Sequence, residues 1–353
     1  MNKIVYLDSS SSTKPKFFTK DCLKNWMNPN SVHQGGIEAN KDLIDAENRI
    51  MKCLGLNSGK VLFCRCASEA VEWLCRQFHH YGENLYTYCS PYEHDSVTNS
   101  CCYNEGNIDE ELYYFNEDKI YLHQYMNHIT GRIFDIESIG KKIQSTDGFF
   151  GSDITAALGH CKIPENLETF CDAVWFSGRK IHCETIGAIW VSDRLYNYIT
   201  KYDERNLFSG TPNVAGAIAL SYAIDYVTFK LNNNEVIWEF LASYLNSQLV
   251  ENNIESYLIS TDKIKSYAIN AIRLPGFDAD GLVQYLSNKN IYISAGHSAC
   301  SNDDENSSRV LESFGLTKEE ANETIRISFS DESGATDIDA LVDGIVEYKR
   351  LFV

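Results

Sequence analysis

The sequence predicts an α/β protein, with a large domain built on a mostly parallel sheet covered by helices and a smaller α/β domain after it. Three observations predict this. Short apolar runs (VLFC, NLYTYCS, KIYLHQYM, DGFFGSD, DAVWFSG and GAIWVS) alternate with helical or turn-rich segments, the pattern of strands buried on both faces. A chain of 353 residues, 44% of them hydrophobic, has material for about two domains. Beyond about residue 225 the texture changes to a long helical stretch, NEVIWEFLASYLNSQLVEN, and a second set of strand and helix patterns. The domains are placed at 16–224 and 225–353, with segment 1–15 joining the second.

The elements follow in order. IEANKDLIDAENRIMKC (37–53) sets Ile37, Leu43, Ile44 and Ile50 near helical spacing with charges between them, an amphipathic helix. VLFC (61–64) is a short strand and SEAVEWLCRQF (68–78) a helix. The apolar runs named above supply the next five strands. In the second domain YAINAIRL and IYIS read as strands, and ADGLVQYLSNK, RVLESFG and IDALVDGIVEYKR as helices.

The formal charge of -18 argues against a general nucleic-acid surface, which needs clustered Lys and Arg. No apolar run approaches the roughly 18 residues that span a bilayer, and MNKIVYLDSS lacks the apolar centre of a secretory signal. The twelve cysteines are scattered and without zinc-finger spacing, so reduced thiols, no structural metal and a cytoplasmic location are expected.

In sheets of this kind ligands gather outside the carboxyl ends of the strands. That rule selects Ala67 and Ser68, His94, Asn127 and His128, Asp153, and Ser177 to Lys180. Each has an ordinary explanation when taken alone. Lys180 could be a solvated cation, Asp153 a helix cap before ITAALG, His94 a loop histidine, and Ser68 and Ser177 turn or cap residues. Placed together at successive strand ends, they are the parts of a pyridoxal phosphate site. These are a lysine for an imine, an acid for a ring nitrogen, an aromatic ring to cover the cofactor, and hydroxyls with helix N-terminal amides for a phosphate.

The chain also resembles the cysteine desulfurases of the NifS and IscS kind, within the class V, fold-type I pyridoxal-phosphate enzymes, nearly end to end. The resemblance is carried by YLDSSSSTKP, NPNSVHQGGIEANKDLIDAENRI, VLFCRCASEA, SPYEHDSV, SDITAALGHCKI, DAVWFSGRKIH, SGTPNVAG, ISAGHSACS and ETIRISFS, in the family's order. It implies that Lys180 holds pyridoxal 5'-phosphate covalently, that Asp153 pairs with the ring nitrogen, and that His94 covers the ring and moves protons. Ala67, Ser68 and Ser177 would hold the phosphate, with Thr211 donated by the second subunit of a homodimer. Arg326 would take the substrate carboxylate, with Asn127 beside it, and Cys300 would be the nucleophile. The implied reaction converts L-cysteine to L-alanine and leaves a persulfide on Cys300 for an acceptor protein. The segment SNDDENSS (301–308) has no apolar side chain to bury and reads as a mobile surface loop, with Asp303, Asp304 and Glu305 opposing thiolate formation nearby.

Several family positions are changed. Cys66 replaces a glycine before the phosphate-binding pair, which puts a glycine-only backbone there in question. His128 and Ala156 replace the Asn and Gln that bond the ring hydroxyl. Arg179 replaces a histidine and offers a cation to the phosphate, CETI replaces a glycine-rich stretch, Phe208 replaces an arginine, and one residue is added between Gly296 and Cys300, at His297 or its neighbour. Selenocysteine lyase, cystine lyase, aminotransferase and a non-catalytic member of the family are the other readings of the same scaffold.

Overall fold

The computed structural model describes residues 4–17, 22–24, 26–78, 86–102, 119–200, 210–259, 264–297 and 308–353. Cys300 and Phe208 lie outside the described residues. Two compact units make up the fold. The larger is formed by Thr13–Tyr125 and Asp135–Lys230, the smaller by Met1–Ser12, Met126–Phe134 and Leu231–Val353.

The larger unit carries a six-stranded sheet of β2 (Lys60–Cys64), β3 (Tyr86–Cys89), β4 (Lys119–Leu122), β5 (Phe149–Asp153), β6 (Ala173–Ser177) and β7 (Gly187–Val191), in the order β2-β7-β6-β5-β4-β3. β3 to β6 pair in parallel, while β7 is antiparallel to both β2 and β6. β2 through β6 therefore point one way and only β7 is reversed. Every residue of β5 and β7 is buried, which is why these strands read as unbroken apolar runs rather than as alternation. Trp175, Ile189, Val191 and Phe149 from the sheet share one core with Val71, Leu74 and Phe78 of the helix Ala67–Gln77 and the residue after it. Each such side chain contributes about 1.5–3 kcal/mol on full burial.

Two positions within the sheet depend on small size. A Cβ on Gly151 would meet Leu122 at 2.9 Å and Trp175 at 3.0 Å. A Cβ on Gly187 would stand 2.6 Å from the Cys66 carbonyl carbon and 2.9 Å from the Ala67 nitrogen.

In the smaller unit β1 (Val5–Tyr6) pairs in parallel with β10 (Ile291–Tyr292), and β8 (Tyr257–Leu258), β9 (Ile269–Arg273), β11 (Ser294–Ala295) and β12 (Thr324–Ser328) form an antiparallel sheet ordered β11-β12-β9-β8. IYIS is thus two strands in two sheets. The helix Ala279–Ser287 is capped by Asp278, whose carboxylate accepts the Gly281 N–H.

The long helix Val214–Glu251 runs through residue 225, where the change of texture placed a boundary. It also corrects the expectation that no stretch suits a bilayer by length and composition. Its most apolar window is 56% buried inside the protein.

Candidate active site

The carboxyl edge of the larger sheet is where the chemistry-bearing residues collect, and the register places them. Cys64, Gly187 and Ser177 stand in one row across β2, β7 and β6. Asp153, the last residue of β5, pairs with Trp175, two residues inside that row. The helix beginning at Ala67, the turn containing Lys180, and Asp153 therefore share one edge of one sheet.

Ala67 and Ser68 open the helix Ala67–Gln77, whose N-cap Cys66 makes no side-chain cap bond. The amides of that first turn are left for an acceptor from elsewhere. Cys66 has φ −164° and ψ 168°, extended backbone open to any residue, so glycine is not required there. The steric demand falls on Gly187, on which the loop rests.

Ser177 Oγ accepts the Arg179 N–H at 3.4 Å and opens the 3-10 turn Gly178–Lys180. Its ordinary role as a turn cap therefore holds. Arg179 is exposed and Lys180 half-buried. The turn is laced by the segment that follows Ser12. Arg179's carbonyl accepts from the Thr13 N–H at 2.8 Å and from Thr13 Oγ1 at 3.0 Å, and that hydroxyl oxygen accepts the His182 N–H at 2.7 Å. His182 sits at φ +64°, a left-handed conformation uncommon for a residue with a Cβ, and its carbonyl accepts the Lys16 N–H at 2.8 Å. Thr13 and His182 were not legible as parts of this site, because nothing in the residue types announces a left-handed histidine or its partner 169 positions away.

Asp153 does not cap a helix; residues 155–160 form turns. Its Oδ1 accepts the Thr155 N–H at 2.7 Å. Burial drives this carboxyl above its ordinary value near 3.8, against the opposing pull of Thr155, Lys180 and Trp175. Thr155 Oγ1 and Trp175 Nε1 are buried and make no well-aligned hydrogen bond, although both lie close enough to favour the charged carboxylate. A buried carboxylate of this kind suits a protonated ring nitrogen. The edge thus fits pyridoxal phosphate on its own geometry, with a lysine, a buried acid and an uncapped helix start.

His94 precedes the short helix Asp95–Thr98, and its Nδ1 accepts the Ser96 N–H at 3.0 Å. That bond assigns the proton of the neutral ring to Nε2. A histidine the motifs did not single out, His160, is fully buried, with Nδ1 3.0 Å from the Ala156 carbonyl. Burial pushes its pKa down to about 4, and Lys180 and His182 act on it in the same direction. Thr211 is exposed and lines a cavity of about 890 Å³ with Arg65, Glu69 and Asn213; neither Lys180 nor Asp153 is among its lining residues.

The remaining predicted residues belong to the smaller unit. Asn127 Oδ1 accepts from Ile129 N, Thr130 N and Thr130 Oγ1 at 2.9–3.1 Å, which gives it a turn-holding job that its residue type alone did not specify. His128 is buried, and its carbonyl accepts from Ser10 Oγ at 3.0 Å and Arg326 Nη1 at 3.2 Å. Arg326, in the middle of β12, is only 1% exposed and is paired with Asp8 at 2.7 Å. His297, three residues before Cys300 in sequence, is buried with Nε2 3.0 Å from Asp280 Oδ2.

Residues 5–341 match the model of the family described as Aminotransferase class-V. The chain is 26% identical to a cysteine desulfurase of Nostoc sp. over 98% of its length and 92% of that protein, and 27% identical to the cysteine desulfurase IscS of Buchnera aphidicola over 93% and 88%. Among solved structures, a NifS-like protein from Rickettsia africae superposes with a TM-score of 0.85 at 23% identity, covering 99% of this chain and all of that one. A second structure, described as a NifS-like protein, gives a TM-score of 0.84 at 22% identity, covering 99% of this chain and 100% of that one. These likenesses carry the fold, which is the fold-type I architecture.

Proposed function

Because this chain belongs to the class-V aminotransferase family, we propose that it is a pyridoxal-phosphate-dependent cysteine desulfurase. The observation that carries the reading is the shared edge: the Lys180 turn, the buried Asp153 and the uncapped start of the helix Ala67–Gln77 lie at the carboxyl ends of β6, β5 and β2, with the reversed β7 between β6 and β2. Pyridoxal phosphate, when bound, supplies an electron sink for the carbon that bears the substrate's amino group. The chain's own residues do the rest. Asp153 would keep the ring nitrogen protonated, the first-turn amides at Ala67 and Ser68 and the hydroxyls of Ser68 and Ser177 would take the phosphate, and His94 would supply the aromatic ring that covers the cofactor. The Lys180 amine takes the proton from the substrate's Cα. Arg326 takes the carboxylate as a planar fork. Cys300 attacks the substrate sulfur; the carbon–sulfur bond breaks, a sulfur–sulfur bond forms, and L-cysteine plus the Cys300 thiol become L-alanine plus the persulfide.

Self-association belongs to the same proposal. Trp26 and Val32 in the larger unit are 80% and 94% exposed, with Leu23, Ile37 and Ile44 also exposed. That is the kind of apolar surface a partner copy covers, and a second copy would bring its Thr211 to this edge. The reading is tested by supplying L-cysteine with a reductant and measuring both products. Equal amounts of alanine and sulfide support it, while pyruvate and ammonia, or a keto acid without sulfide, oppose it.

The raised carboxyl of Asp153 yields a prediction with a definite sign. A folded-state pKa above the unfolded value means that the cofactor-free protein is stabilised most at low pH, and that this contribution is lost as pH rises from near 3.8 through the raised value. Asp153→Asn is therefore expected to raise the melting temperature of the cofactor-free protein at pH 7. It should weaken pyridoxal phosphate binding at least roughly tenfold, because the charged partner of the ring nitrogen is gone. Calorimetry of the apoprotein and a cofactor titration check the two halves separately.

A further inference from the structure

The guanidinium of Arg326 already has a carboxylate. Asp8 Oδ1 lies 2.7 Å from Nη2 and also accepts from Ser294 Oγ at 2.8 Å. Ser11 Oγ at 2.6 Å and Ser294 Oγ at 3.1 Å crowd the same Nη2, while Nη1 reaches the His128 carbonyl at 3.2 Å. Nε is buried and has no hydrogen-bond partner among the described residues. Nε and Nη2 are the two prongs of one fork, the geometry that grips a carboxylate with parallel bonds. Asp8 touches one prong and leaves the other unused.

The charge balance gives this arrangement a consequence. A buried guanidinium with no counter-charge is strongly unfavourable, and Asp8 neutralises it from within the chain. The backbone at Asp8 is fixed, since it bridges to Ser328 and its carbonyl accepts the Ser11 N–H at 3.0 Å. Its side chain, 16% exposed, keeps a route to water. A carboxylate arriving at Arg326 therefore meets a cation whose charge is already balanced and one of whose prongs is taken.

We propose that Asp8 is an internal counter-ion that competes with carboxylate ligands for Arg326 and so holds their affinity down, a role that rests on the reading of Arg326 as the substrate-carboxylate residue. Mere positioning of Arg326 predicts the opposite sign. If Asp8 only aimed the guanidinium, losing its charge would weaken carboxylate binding; if Asp8 competes, losing its charge strengthens it.

The test is calorimetric binding of propionate, a carboxylate without amine or thiol, to the cofactor-loaded protein, with methyl propionate as the uncharged control. Asp8→Asn is expected to bind propionate at least roughly tenfold more tightly than the unaltered protein, the scale of a hydrogen bond to a charged group. Adding Arg326→Gln should abolish the gain. Unchanged or weaker binding by Asp8→Asn, or a gain that survives Arg326→Gln, overturns the proposal. Should Asp8→Asn not fold alone, refolding in propionate but not in methyl propionate is the expected result, and no recovery in either overturns the proposal. Propionate undergoes no turnover, so a protein that shows this difference yet releases no sulfur from cysteine keeps the counter-ion and loses the desulfurase reading. The converse outcome separates them the other way.

Discussion

Lys180→Ala is expected to reduce alanine formation from L-cysteine by at least about a thousandfold, the scale seen when a residue acting at the reacting atoms is removed. The loss should be chemical and not structural. Lys180 is half-buried at the end of a 3-10 turn, and the turn is held by backbone and Thr13 contacts that the side chain does not make. The cofactor should wash out of the variant on dialysis, followed by loss of its absorbance, because Lys180 no longer anchors it. A variant with near-normal alanine production would show that the proton at the substrate's Cα is handled elsewhere, and His94 would be the first residue to examine.

Cys300→Ser is expected to have the second large effect, with a different signature. The altered protein should bind the cofactor and show its yellow absorbance as before, since no cofactor contact is asked of Cys300. Persulfide should disappear from the protein and sulfur release should fall by roughly a hundredfold or more, because a serine hydroxyl cannot replace the thiolate as a nucleophile toward sulfur. Mass spectrometry before and after exposure to L-cysteine reads this directly, as the gain of one sulfur on the peptide containing Cys300. Undiminished sulfide release by Cys300→Ser would remove the persulfide mechanism and favour a lyase that frees its product.

Much of this site was legible because a parallel sheet gathers its carboxyl ends on one side. Finding the apolar runs therefore found the edge. FFGSD and AVWFS announce buried strands by composition, and the residues that end them, Asp153 and Ser177, stand at the edge that carries the candidate site. The illegible parts depend on contacts between distant positions. Cys66 looked like a departure that would strain the phosphate loop, yet that residue is extended and the close approach occurs at Gly187, which pairs with both Cys64 and Ser177. Such packing does not show in a residue's own type.

The boundary placed near 225 falls within about six residues of the division between the two units at Lys230 and Leu231, yet no element ends there. Asn232, Asn233 and Asn234 carry weak helix propensity, but Leu231, Asn234 and Trp238 are buried along Val214–Glu251, and tertiary packing carries the helix through them. The pairing of Asp8 with Arg326 joins positions 318 apart. The motifs named each residue without showing that one would occupy the other.

The central claim is that the Lys180 amine, at the end of β6 beside the buried Asp153, is the group that binds the cofactor covalently. Borohydride reduction of cofactor-saturated protein, followed by digestion and peptide mapping, tests it most directly. The account predicts one stable pyridoxyl group, on the peptide that contains Lys180. An adduct on any other lysine, or none at all, would contradict it.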